Sequence, residues 1–143
     1  MKDIYLKTVA RLKTVTALKW IDAEAGQLEF FETRPPVAFP CALIDVEYPQ
    51  CEDLGDTLQQ CTARVTVRLA FEPAGITSGA APTLVRDKAL AMFDVVSACY
   101  SAFQGWSDTE VGSFSRMSQI TEKREDNLKV IIQVWETTFE EEA

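Results

Sequence analysis

The chain has 143 residues, 47% of them hydrophobic, and a formal net charge of −8 with no histidine. This length fits one domain over residues 1–143 and lets a core form without staples, and the apolar content excludes global disorder. The acidic balance disfavours nonspecific nucleic-acid binding, which draws on Lys and Arg meeting phosphates.

The first 20 residues are basic, with Lys2, Lys7, Arg11, Lys13 and Lys19 against Asp3. No unbroken apolar stretch follows the start, and no run approaches the roughly 20 residues of a membrane helix. Cytoplasmic synthesis and no membrane contact are expected. Residues 2–15 read as a helix, because Tyr5, Val9 and Leu12 fall at i, i+4 and i+7 with Leu6 beside them. Residues 14–36 carry no sustained period. They read as a loop with a short strand or hairpin, turning at Ala25-Gly26 and held extended at Arg34-Pro35-Pro36.

Phe39 to Tyr48 reads as a strand with Ala42, Ile44, Val46 and Tyr48 on one face. Pro40 suits its start and Pro49 is expected to end it, leaving Gln50 to Asp56 as a polar connecting loop. From Leu58 to Phe71 the alternation is the clearest in the chain. Cys61, Ala63, Val65, Val67, Leu69 and Phe71 interleave with Thr62, Arg64, Thr66, Arg68 and Ala70. One face is therefore buried and the other polar. At ~3.4 Å per residue such a strand spans roughly 40 Å and reaches past the body of a small domain.

Glu72 to Ala81 is a flexible contact loop by composition. Pro82 opens a helix to Phe103, with Val85, Ala89, Met92, Val96, Cys99 and Phe103 as its core stripe and Gly105 as its stop. Val111 to Thr121 reads as a weaker strand with Phe114 and Ile120 on one face, and Glu122 to Asn127 as a charged turn. In the last strand, Leu128 to Phe139, both faces carry large apolar residues. Leu128, Val130, Ile132 and Val134 are the set expected against helices. Ile131, Trp135 and Phe139 are left as an interface. The expected fold is α+β, of order α-β-β-α-β-β, a four-stranded mostly antiparallel sheet with two helices packed on one face.

Chemistry-bearing patterns are sparse. Without histidine, Ser-His and Cys-His arrangements are excluded. There is no phosphate-binding glycine loop. Asp45 and Glu47 share a strand face and read as solvated carboxylates. Cys41, Cys51, Cys61 and Cys99 have no short-spaced pairing, so no zinc site is expected. Cys41, Cys61 and Cys99 sit among apolar neighbours and are expected as buried thiols. Neither a catalytic role nor a cofactor is expected.

The order of elements carries a resemblance. An N-terminal helix, the Arg-Pro-Pro segment, a strand begun through Phe39-Pro40, the long strand Cys61 to Phe71, a loop, the helix to Phe103 and a strand ending at Val130-Ile131-Ile132-Gln133-Val134-Trp135-Glu136 resemble the tail terminator and tail completion (minor tail) proteins of long-tailed phages and prophages. The resemblance implies a ring, typically a hexamer, on the head-proximal end of the tail tube. Its partners would be copies of itself, the tube protein and the head-tail connector. Assembly would take place in the host bacterial cytoplasm, and DNA would only pass through the ring. A closed ring needs two different complementary patches per copy. Lys7, Arg11, Arg64, Arg68, Ile131, Trp135 and Phe139 are the candidates, and the loop Pro73 to Ala81 is expected to order on the tube. Two other readings are a neck component such as a stopper or adaptor, and a small-molecule-binding ferredoxin-like α+β domain.

Overall fold

The computed structural model describes residues 1–73, 75 and 77–143. Residues 74 and 76, in the stretch read as a contact loop, lie outside the described residues. The elements run α1 Lys2–Leu12, β1 Trp20–Ala23, β2 Cys41–Asp53, β3 Leu58–Phe71, α2 Thr83–Phe103, β4 Ser115–Glu122 and β5 Lys129–Glu142. The strands form one sheet in the order β1-β2-β3-β5-β4. β1 lies parallel to β2, and every other neighbouring pair is antiparallel.

The sheet therefore has five strands and is mixed, where four mostly antiparallel strands were expected. The additional strand is β1, inside the stretch 14–36 that carries no clear period. Its four residues are too few to establish an alternation, and its parallel partner begins 21 positions downstream, at Trp20 opposite Cys41. Pro49 does not end β2. The strand passes through it by a register shift between Glu47 and Gln50, and a bulge is where a residue lacking an N–H is tolerated. The polar stretch Gln50 to Asp53 is therefore strand, and the turn shrinks to residues 54–57.

Both helices pack on one face of the sheet, as expected. Ile4 and Leu12 of α1 and Val95, Val96, Cys99, Ala102 and Phe103 of α2 bury against Ala42, Ile44, Ala63, Val65, Val67, Leu69 and Phe71. α2 stops at Gly105, whose φ of +77° is strained for any residue with a Cβ. Arg11 joins the helices, donating through Nε to the Ala102 carbonyl at 2.8 Å while its guanidinium lies 5.1 Å from the Trp106 ring centroid.

The two faces of β5 are reversed relative to the sequence reading. Ile131, Gln133, Trp135, Thr137 and Phe139 oppose Leu69, Val67, Val65, Ala63 and Cys61, so the odd-numbered set faces the helices. Trp135 is fully buried between Phe103, at 5.3 Å, and Tyr100, at 6.1 Å between ring centroids. Gln133 is also fully buried and donates to the Val96 carbonyl and to Gln119 of β4. Polar Gln133 and Thr137 gave this face a mixed texture that read as surface. On the other side of the sheet, residues 24–40 cover one end, where Leu28, Val37, Cys41, Leu43, Ala70 and Val130 form a second, smaller core. Ile120, expected to share a face with Phe114, is 56% exposed, whereas Phe114 is fully buried ahead of β4.

Candidate assembly surfaces

The basic candidates are held within the chain. Lys7 bridges from α1 to Asp108 and Glu110, the latter at 2.7 Å. Its hydrogen bond holds the Asp108 carboxyl below the ordinary range, helped by the backbone N–H groups of Glu110 and Val111. Arg64 lies on the sheet face away from the helices and joins three strands, 2.8 Å from Glu136 on β5 and 3.2 Å from Glu47 on β2. Arg68, two turns of the pleat along, bonds Glu24, Glu29 and Glu122 at 3.0, 2.7 and 2.8 Å. Burial opposes the Arg68 charge, but hydrogen bonds to Glu29 and Glu122 outweigh it and raise the pKa. Arg124 closes the cluster, bonding Glu29, Glu122, Asp126 and the Leu28 carbonyl.

Ile131 and Trp135 are core residues, and Phe139 is partly buried beside Tyr48, with ring centroids 4.9 Å apart. Their apolar surface is accounted for by α2 and the sheet. What remains partly open is the middle of the other set of β5, since Val130 is buried in the second core. Ile132 and Val134 are half-buried on the open face, and Ile132 pairs with exposed Ile120 of β4. The Arg64–Glu136 and Arg68–Glu122 pairs flank this strip along the strands. β4 is a sheet edge, so among the described residues one row of its N–H and C=O groups has no strand beside it. Met117, at its register shift, is 57% exposed. The apolar texture of Leu128 to Val134 was visible in the sequence. Which face the helices cover was not.

A second surface is the shared tip of β2, β3 and β5. Two rows cross it: Glu52, Gln60 and Glu140, then Asp53, Gln59 and Glu141. Each row places an acid on either side of a glutamine of the central strand, and Gln59 donates to Asp53 at 2.9 Å. Asp56 and Glu142 add two more carboxylates, and residues 50–62 and 137–143 contain no Lys or Arg. This acidic tongue is exposed on both faces over most of its length.

Beside α2 lies a cleft of about 350 Å³ lined by Phe39, Phe71, Met92 and Val95, with Lys88 and Lys129 among its lining residues. Among the described residues no group of three or more Cys, Asp or Glu is arranged to hold a metal ion. Likewise no helix among them is long and apolar enough to cross a membrane.

No family model and no curated protein matches the chain. Among solved structures it is similar to a chain of the virion of a native gene transfer agent (GTA) particle, with a TM-score of 0.50 and 12% identity, over 91% of this chain and 84% of that one.

Proposed function

We propose that this chain is a structural component of a phage-like virion and that it acts as a tail terminator. In this reading copies close into a ring, of six by the family resemblance, on the head-proximal end of the tail tube. The ring stops tube growth and offers a surface to the head-tail connector. The chain performs no catalysis and needs no cofactor. It assembles in the bacterial cytoplasm and ends in the virion.

The observation that carries this reading is the fold likeness to a chain of a gene transfer agent virion across 91% of the sequence. The geometry supports it. A ring requires two dissimilar patches on each copy. The apolar strip Ile120, Ile132 and Val134 beside the unpaired edge of β4 is one. The acidic tongue is a separate surface, suited to a basic partner and to steering an encounter. These take the place of Lys7, Arg11, Arg64 and Arg68, which are engaged inside the chain, and of the core residues Ile131 and Trp135.

Sedimentation velocity over a concentration series, with and without preassembled tail tubes, tests the proposal. Rings in solution, or co-sedimentation with the tubes, are expected. A strictly monomeric chain that stays off the tubes would overturn it.

A further inference from the structure

Cys51 and Cys61 are directly opposed in the β2–β3 ladder, at the root of the acidic tongue. Directly opposed residues of an antiparallel pair share a face. Their Cα atoms lie roughly 4.5 or 5.5 Å apart, and both values fall within the span that a disulfide bridges. The two thiols are unequal. Cys51 is exposed, whereas Cys61 is 1% exposed and opposes Phe139 on its other side. The adjoining Cys51 thiol and then burial push Cys61 up to about 11. The other two cysteines are isolated from this pair and fully buried. Burial pushes Cys41 up to about 11 and Cys99 to about 12, and it also closes both sulfurs to a small disulfide, whereas Cys61 needs only to reach the Cys51 sulfur directly opposite it.

The position explains what such a bond would do. Immediately before Cys51 the register of β2 shifts between Glu47 and Gln50, and Pro49 supplies no ladder N–H. Beyond it, six carboxylates gather without a base: Glu52, Asp53, Asp56, Glu140, Glu141 and Glu142. The tongue thus begins at an irregular register and carries like charge on both of its outer strands. A covalent tie between Cys51 and Cys61 would fix its register from that point outward.

We propose that Cys51 and Cys61 form a cross-strand disulfide when the chain meets a low-molecular-weight disulfide, as on leaving a reducing compartment. The exposed Cys51 thiolate attacks one sulfur of the small disulfide, forming a mixed disulfide and expelling one thiolate. The Cys61 sulfur then attacks Cys51 Sγ, the mixed bond breaks, and the second small thiolate leaves. Two protein thiols are oxidised, one small disulfide is reduced to two thiols, and the two cysteine protons pass to the leaving thiolates. The inference stands on the strand register and does not depend on the assembly reading.

Treatment of the full chain with oxidised glutathione, followed by thiol counting after denaturation and peptide mapping, tests it. The four free thiols are expected to fall to two, with one Cys51–Cys61 linked peptide and a higher Tm that dithiothreitol reverses. Cys51→Ser, at an exposed site that tolerates the change, should keep its remaining three thiols under the same treatment. Cys61→Ser should stop with glutathione attached to Cys51. Four thiols persisting in the wild-type chain, a stable glutathione adduct on wild-type Cys51, or a linkage through Cys41 or Cys99 would each overturn the proposal. Binding to tail tubes is not a readout here, so failure of the assembly reading leaves this result unaffected.

Discussion

Arg68 of β3 and Glu122 at the end of β4 meet on the open face with β5 between their strands, Nη2 lying 2.9 and 2.8 Å from the two carboxylate oxygens. The same guanidinium binds Glu24 and Glu29 from the segment after β1. One side chain thus ties the edge strand to the loop that covers the second core. Arg68→Met would leave Glu24 without its arginine and Glu29, Glu122 and Asp126 on Arg124 alone. Removing one partner of a buried pair costs several kcal/mol, and the half-exposed carboxylates reduce this to about 2 kcal/mol, or roughly 6 °C in Tm. Thermal denaturation checks the loss.

The same clusters predict acid sensitivity. Hydrogen bonds from Arg68 hold Glu29 below its ordinary pKa of 4.5, those from Arg124 hold Asp126 below 3.8, and that from Lys7 holds Asp108 below 3.8. A depressed folded-state pKa adds stability that is complete above the unfolded value and disappears as pH falls through the folded one. Stability should therefore be flat from neutral pH to about 5 with respect to these groups and fall below about 4.5. Urea midpoints measured from pH 7 to pH 3 would reveal it, and Asp108→Asn should flatten part of the fall.

Trp135→Ala distinguishes a core role from a surface role. A fully buried Trp packed on Phe103 and Tyr100 should cost about 3–5 kcal/mol when truncated. Equilibrium unfolding of the isolated chain would register this loss. An unchanged stability with weakened association would restore the interface reading of this residue.

Neutralising the tongue should separate stability from association. Glu140→Gln with Glu141→Gln and Glu142→Gln removes like charges from beside Glu52, Asp53 and Asp56. The isolated chain should become slightly more stable, by tenths of a kcal/mol. Binding to tubes should weaken at low salt and lose much of its salt dependence. Co-sedimentation at two ionic strengths measures both.

Much of the fold was legible in residue texture, and its limits have physical causes. The alternation from Cys61 to Phe71 stood out because one face meets the helices and the other carries Arg64 and Arg68. β1 did not, because four residues with a parallel partner leave no local trace. Pro49 was misleading because a bulge supplies what a regular ladder denies it. The faces of β5 were exchanged because buried Gln133 donates its side-chain N–H groups to Val96 and Gln119, contacts fixed only by tertiary structure. Arg64 and Arg68 looked free for the same reason: Glu24, Glu29, Glu122 and Glu136 are distant in sequence.

The central claim, that this chain ends tail-tube growth, is tested most directly by the length of the tubes. Tube protein polymerised on its length-setting scaffold should give one uniform length by negative-stain electron microscopy when this chain is present, with the chain at one end of each tube. Overlong tubes should appear when it is omitted or when Ile120→Asp and Ile132→Asp charge the strip beside β4. The same length distribution with and without the chain, and no chain at the tube ends, would contradict the account.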